Sequence, residues 1–437
     1  MLDVSVLYGG LQTASTPHRY GRAVAQIDPP AHQRMALARS ASQRRPIVVW
    51  NITRSCNLKC VHCYTDSQSQ RYEGELSTAQ CKGVLDDLAA YQVPAVLFSG
   101  GEPLVRPDLL ELAAHARQRG LHVVLSTNGT MIDRQAARAF KDLELSYVGI
   151  SLDSARPEVH DRFRGMSGAF ERTLAGLRHC VEAGQKVGLR LTLTPQTCGD
   201  LPAVFALIER ERINRVCFYH LVPAGRGQGL AALSAEQSRS AVDTIFDFAG
   251  DLAARGCGVE ILTVDNHCDG AYLYLRMLRE GHPRARQVLE MLTWNGGARF
   301  SSGVGIGNID FHGNVHADQF STFHSFGNVL DRPFSQIWQD TSDPIMRGLK
   351  DRLDLLKDPC GHCRFKIICG GSSRARAQAL TGDPWAADPG CYLTAAEISG
   401  GTAFPGRESS GGTAFPGRES QAGKPVPPDM PEAEGGS

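Results

Sequence analysis

Three cysteines, Cys56, Cys60 and Cys63, stand together in the stretch Ser55-Cys56-Asn57-Leu58-Lys59-Cys60-Val61-His62-Cys63-Tyr64. Thiolates this close can ligate one metal centre together. A cubane [4Fe-4S] cluster has four irons, each wanting a ligand, and cysteine thiolate is the usual one. Three cysteines leave one iron open. An open position separates a catalytic metal centre from a structural one, a logic stated for zinc that carries over to iron. A structural zinc knuckle or a set of surface thiols is the alternative. A second group comprises Cys360, Cys363 and Cys369, joined by Cys391. Four thiolates fill one cluster completely, which gives a closed auxiliary [4Fe-4S] centre; a four-cysteine zinc site is the alternative here.

Other residue types on the chain suit a ligand around such a centre. Gly100-Gly101-Glu102-Pro103 follows an apolar run of strand length. Its glycines let backbone approach a ligand closely, and its glutamate offers an acceptor to a cation. Ser126, Asn128, Ser151 and Asp153 follow later runs of the same kind, where turns and helix caps are the ordinary use of these residues. Arg164 has the fork that pairs a carboxylate bidentately, or is a solvated arginine. His220, His267, His316 and His324, with Asp318, are candidates to ligate a metal or move a proton, although each singly reads as an ordinary packed or exposed residue. Cys81, Cys180, Cys198, Cys217, Cys257 and Cys268 show no ligand spacing, and Cys180 and Cys217 read as core.

The elements that must position these residues follow from periodicity. Apolar runs at 47–52, 95–98, 122–125, 147–150, 187–194 and 216–220 alternate with helical spacing over 76–91, 106–119, 133–143, 168–183 and 201–212. Ser77 is the expected N-cap of the first helix and Gly184 closes the fourth. Consecutive strand-helix units imply a parallel sheet, because parallel neighbours need crossovers. Right-handed crossovers curl it into an α/β partial (β/α)6 TIM-like barrel, with ligands beyond the C-terminal ends of the strands. The polar segments named above all fall at those ends. A further helix is expected over 234–255, a seventh strand over 259–264 and a short hairpin turning at His312-Gly313-Asn314.

This predicts a lead-in over 1–45 that packs loosely, a barrel over 46–265, an auxiliary cluster domain over 266–396 and a disordered tail over 397–437. In that tail the stretch from Ser399 to Ser409 recurs residue for residue from Ser410 to Ser420. With 437 residues, 42% hydrophobic, the chain has the composition of a large-cored globular protein. Lys+Arg and Asp+Glu are both 46, so bulk charge points to neither nucleic acid nor an anionic membrane. The start lacks a signal-peptide pattern, and no stretch approaches the ~20 apolar residues of a membrane span. Thirteen cysteines, many in short-spaced sets, argue for metal binding in a reducing compartment, hence a cytoplasmic location.

The cysteine loop, with the aromatic His62 before its last cysteine, resembles the signature of the radical S-adenosylmethionine (SAM) enzymes. The resemblance implies a three-cysteine [4Fe-4S] cluster whose open iron takes SAM, and a 5′-deoxyadenosyl radical that abstracts hydrogen from an unactivated carbon. It implies that Gly100, Gly101, Glu102 and Pro103 hold the SAM amino group. Ser126, Asn128, Ser151 and Asp153 correspond to ribose and methionine positions, with Arg164 on the carboxylate. The group at Cys360, Cys363, Cys369 and Cys391 resembles SPASM or twitch domains. It departs from a full SPASM domain at Ser373, and around the hairpin, where Ser301, Ser302, His316 and Asp318 stand without a cysteine. One auxiliary cluster is therefore expected.

Trp50-Asn51, Tyr64, His160 to Arg164, Gly307 to Asp310, Gly327 to Val329 and Gly382 to Trp385 carry a closer resemblance, over about 45–396. They look like the radical SAM enzymes of tetrapyrrole side-chain modification, nearest the NirJ type of haem d1 biosynthesis. That implies 12,18-didecarboxysirohaem as substrate, attack at its propionates, and a one-electron reductant such as flavodoxin or ferredoxin as partner. The sister deacetylase of the alternative haem pathway, which removes acetates, and a peptide-modifying enzyme are the other catalytic readings. A non-catalytic metal-binding protein is the reading from another class; the intact rim motifs argue against it.

Overall fold

Numbering from a short strand β1 (Leu2–Asp3), the computed structural model aligns seven further strands in chain order: β2 (Ile47–Thr53), β3 (Val96–Gly100), β4 (Val123–Thr127), β5 (Tyr147–Ser151), β6 (Val187–Leu193), β7 (Arg215–His220) and β8 (Glu260–Val264). Each of these seven pairs parallel to the next. The structure describes residues 1–13, 16–20 and 44–400; the duplicated tail beyond lies outside them. Val48, Phe98, Leu125, Ile150, Leu189, Phe218 and Ile261 are buried, as strands covered on both faces require. Helices supply the crossovers, among them Thr78–Ala90, Leu109–Gln118, Arg134–Asp142 and Ala169–Glu182. Ser77 caps the first of them in a capping box with Gln80. Because the seven strands run the same way, the loops at their C-terminal ends share one rim.

The predicted hairpin forms as β9 (Ile306–Ile309) and β10 (Val315–His316), paired antiparallel. It is not a separate layer: β9 also pairs parallel with β2. The result is one ten-stranded sheet in the order β1-β8-β7-β6-β5-β4-β3-β2-β9-β10, open between its two edges. Met1–Gly401 is a single compact unit, so the segment bearing the second cysteine group shares the barrel's core.

The opening residues do not pack loosely. Leu2 pairs with Thr263 and Asp3 with Leu262, so β1 covers the β8 edge in antiparallel register. Val4, Val6 and Leu7 are fully buried, and Asp3 takes hydrogen bonds from Ser5 Oγ at 2.8 Å and Arg19 Nη1 at 2.7 Å. Four apolar side chains within six residues are enough to anchor the segment by burial. Two helices beyond the periodicity reading are Pro157–Arg164, with proline in its first turn and Gly165 in the left-handed conformation after it, and Ala285–Asn295. Among the described residues no helix is long and apolar enough to cross a membrane.

Candidate active site

The cysteine loop leaves β2 and is tied down by its neighbours. Gly101 N donates to Thr53 O at 2.7 Å, and Glu102 N to Ser55 O at 2.9 Å. The two glycines serve this contact: a Cβ on Gly100 would lie 2.2 Å from Thr53 O, and one on Gly101 2.1 Å from Ser55 O. The backbone they admit is thus that of the cysteine loop itself, where the sequence suggested a ligand. Glu102 also differs from expectation. Its carboxylate is fully buried and accepts from Thr127 Oγ1 (2.7 Å), Asn128 N (2.7 Å) and Leu104 N (3.1 Å). Burial pushes this carboxyl up to about 6 despite those donors. The side chain therefore fixes two loops to each other instead of pointing at a cation, and Pro103 behind it opens a buried 3-10 turn.

Cys56 and Cys60 are buried and Cys63 is half-buried against them. Each sulfur has a donor nearby: Leu58 N is 3.3 Å from Cys56 Sγ, Arg164 Nη1 is 3.8 Å from Cys60 Sγ, and Ser67 N is 3.3 Å from Cys63 Sγ. Burial pushes the Cys56 thiol up to about 12 and raises Cys60 as well, so as thiols the pair is uncharged at neutral pH. Among the described residues no three His, Cys, Asp or Glu side chains are arranged to hold a single metal ion. A cubane spreads its ligands over separate irons, and the buried, N–H-lined sulfurs fit that kind of group.

Asp153 and Arg164, expected on separate parts of a ligand, pair with each other at 2.5 Å, both buried. Burial alone would raise the Asp153 carboxyl; the Arg164 guanidinium holds it below the usual carboxylate range. Arg164 consequently does not stand free to fork a carboxylate, its other contact being Cys60. Asn128 is likewise engaged: Nδ2 donates to Asn57 Oδ1 at 2.8 Å, and Oδ1 accepts from Thr130 Oγ1 at 2.6 Å. Ser126 accepts from Arg190 Nη1 at 2.7 Å. His62 stacks on Phe163 with centroids 4.3 Å apart, and burial pushes its imidazole down to about 3, so it stays neutral.

His62, Ser126 and Arg164 border a cavity at the C-terminal rim, open to solvent and lined also by Tyr64, Ser151, Arg190, Tyr219 and His220. His220, one of several candidate histidines, is the one that faces this space together with His62. His316 bonds Asp310 and the His324 carbonyl within the hairpin region, and His324 bonds Asp343, which caps the helix Pro344–Lys350. Asp318 accepts from Ser321 and Ser302, and His267 Nε2 lies 3.2 Å from the Met1 amino group. Sequence reasoning passed over Arg190, Tyr219 and Asp265, all lining the cavity. The only signal for Arg190 was a charge within an otherwise uncharged strand, Val-Gly-Leu-Arg-Leu-Thr-Leu.

The second cysteine group also converges. Cys360, Cys363, Cys369 and Cys391 line one cavity, and Cys268, which showed no ligand spacing, lines it with them. Ser373, where a cysteine was sought, instead caps the helix Arg374–Thr381 through Arg376 N.

The model of the radical SAM superfamily matches residues 50–208, the span from β2 to the helix Leu201–Arg210. The Fe-coproporphyrin III synthase of Methanosarcina barkeri is 51% identical over 403 residues, covering 91% of this chain and 99% of that protein. The chain belongs to the radical SAM superfamily. The pre-heme d1 synthase of Dinoroseobacter shibae is 43% identical over 367 residues, 82% of this chain and 88% of that protein. Among solved structures, Streptococcus suis SuiB bound to S-adenosylmethionine superposes with a TM-score of 0.64 at 15% identity, covering 80% of this chain and 78% of that one. That likeness is one of fold. The protein is thus a radical SAM enzyme with relatives in haem biosynthesis, and a [4Fe-4S] cluster with SAM is the cofactor set of its superfamily.

Proposed function

We propose that this radical SAM enzyme removes acetate side chains from didecarboxysirohaem to give an Fe-coproporphyrin. The observation that carries the reading is the 51% identity to Fe-coproporphyrin III synthase across nearly the whole of both chains. Modification of the propionates on the way to haem d1, which the sequence reading put first, is the second reading; the 43% identity to pre-heme d1 synthase supports it. The cavity suits either, since it offers aromatic walls from Tyr64, Tyr219 and Phe320 and a guanidinium from Arg190.

In this reading Cys56, Cys60 and Cys63 hold the first cluster, and the segment Gly100 to Pro103 offers SAM its backbone. Ser126, Asn128, Ser151, Asp153 and Arg164 shape the walls around it. When bound, the cluster and SAM supply a 5′-deoxyadenosyl radical. The chain's own part is to orient and to exclude water: Glu102 locks two loops, Asp153 holds Arg164 beside Cys60, and the stacked pair His62 and Phe163 closes one side. Cys360, Cys363, Cys369 and Cys391 hold a second, filled [4Fe-4S] cluster, within a functional region over 266–396 that follows a barrel over 46–265. A flavodoxin- or ferredoxin-like donor supplies electrons in the cytoplasm.

Anaerobic incubation of the reconstituted protein with didecarboxysirohaem, SAM and dithionite tests the reading by mass analysis. Loss of acetates supports it. Change at the propionates transfers the protein to the second reading, and absence of 5′-deoxyadenosine with didecarboxysirohaem present overturns both.

A further inference from the structure

Arg190 is a partly buried charge with no carboxylate partner among the described residues. Its guanidinium lines the rim cavity, Nη1 donates to Ser126 Oγ at 2.7 Å, and Nε is buried with no acceptor. The Tyr219 ring lies 5.9 Å from Cζ. Among the described residues no carboxylate pairs with Arg190. The cavity's other guanidinium, Arg164, is taken by Asp153 at 2.5 Å. Asp265, the acid that also lines the cavity, keeps Oδ2 buried with no hydrogen-bond donor, so that oxygen is not bonded to Arg190.

Room for the guanidinium is built into the neighbouring strand. Gly149 on β5 stands where a Cβ would come within 2.4 Å of Arg190 Nε and 2.9 Å of Cζ. Any side chain at that position would push the guanidinium out. A cation held half out of water against a hydroxyl and an aromatic face, with no carboxylate beside it, is stabilised when an anion completes it. Planar, forked guanidinium is the group best matched to a carboxylate.

We propose that Arg190, backed by Ser126 and Tyr219 and given space by Gly149, binds a carboxylate side chain of a polycarboxylate tetrapyrrole in the rim cavity. This rests on the tetrapyrrole reading above. SAM also carries a carboxylate, and the SAM titration below separates that ligand from the tetrapyrrole. Arg190 sits on β6, four strands along the sheet from β2.

The test uses the reconstituted full-length protein and three titrations: Fe-coproporphyrin III, its tetramethyl ester, and SAM. Arg190→Gln is expected to weaken Fe-coproporphyrin III by roughly tenfold or more, the scale of one charged hydrogen bond, with the ester and SAM little changed. Arg190→Lys should recover part of the loss. Arg190→Met, which removes the unpaired charge while keeping bulk, should melt no lower than the parent without ligand; a purely structural arginine would give a clear drop. Equal weakening of acid and ester, or unchanged binding of both, overturns the proposal while leaving the tetrapyrrole reading intact. Weakening confined to SAM assigns Arg190 to the SAM carboxylate and also overturns it. If the parent protein binds neither porphyrin, the tetrapyrrole reading itself fails, and this proposal with it.

Discussion

His220 Nε2 lies 3.0 Å from Asp269 Oδ2, and Tyr392 donates to the other oxygen of that carboxylate at 2.7 Å. His220 ends β7 in the rim cavity, Asp269 follows Cys268 at the start of the helix Cys268–Arg279, and Tyr392 follows Cys391. One buried carboxylate therefore joins the rim cavity to the cysteine-lined one. Burial works against its charge, yet His220 and Tyr392 hold the Asp269 carboxyl below its usual range. A carboxylate in that position fixes the imidazole's orientation. His220 is thereby equipped to move a proton, with Asp269 as its positioning residue. His220→Gln is expected to lower tetrapyrrole product by about 10²-fold or more, within the span of general acid–base effects. SAM cleavage should persist. Measuring 5′-deoxyadenosine and product in the same reaction separates the cases, and an equal fall in both would refute the role.

The Gly100 and Gly101 contacts predict a separate loss. Alanine at either position places a methyl about 2 Å from a carbonyl oxygen of the cysteine loop, which the backbone must move to relieve. Gly101→Ala should fold, since its barrel strands are untouched, but hold less iron after reconstitution and bind SAM weakly. Iron and sulfide assays check this; full cluster occupancy in the variant would contradict it.

Glu102 gives a pH prediction with a definite sign. Its carboxyl is raised from 4.5 to about 6 in the fold, so the folded state favours the protonated form. The stability this contributes is fully present below about 4.5 and is lost as pH rises through about 6. Glu102→Gln removes that dependence. It also turns an amide N–H₂ toward a donor, Asn128 N or Thr127 Oγ1, at a cost of about 1–3 kcal/mol for a buried group left unsatisfied. Thermal midpoints of the metal-free protein between pH 4.5 and 7 should therefore fall with pH in the parent more than in the variant. The variant should be the less stable at the lower pH.

The parts of this site legible in the sequence were those whose chemistry demands fixed residue types at short spacing, namely the two cysteine groups and the segment Gly100 to Pro103. The parallel strands were legible because burial on both faces leaves continuous apolar runs such as Ile47 to Ile52. What escaped depends on register. Arg190 on β6, Tyr219 on β7 and Asp265 just after β8 meet only once those strands are aligned, as in Thr192 opposite Tyr219 and Tyr219 opposite Val264. The direction of Glu102 escaped because its partners, Thr127 and Asn128, lie at the end of another strand. The N-terminal strand escaped because two residues are too few to carry a period.

Cys268 tests how many thiols the second site uses. Burial pushes its thiol far above the ordinary value, as it does that of Cys369, and it hydrogen-bonds Cys391, so it is suited to stay protonated. Cys268→Ala should leave metal content unchanged. Replacing Cys360, Cys363 and Cys369 together should remove roughly half the iron if two cubanes are present. Loss of iron in Cys268→Ala would make it a ligand, and unchanged iron with bound zinc in the parent would show that the second site holds no cluster.

The pairing of Asp153 with Arg164 decides between a structural and a binding use of both. Each was expected to touch SAM, and each is instead buried against the other at 2.5 Å. Removing one partner leaves an uncompensated charge inside the protein, which costs about 3–5 kcal/mol, whereas replacing both with apolar groups costs far less. Asp153→Asn should therefore destabilise the metal-free protein strongly, and Asp153→Leu with Arg164→Met should recover most of that loss. Since Asp153 is held low in the fold, its contribution is present above its ordinary range and disappears as pH falls through the depressed value. Denaturant unfolding of the single and double variants measures the coupling. If the single variants unfold like the parent but no longer bind SAM in a titration, the ion pair is dispensable to the fold and both side chains turn to the ligand when it arrives.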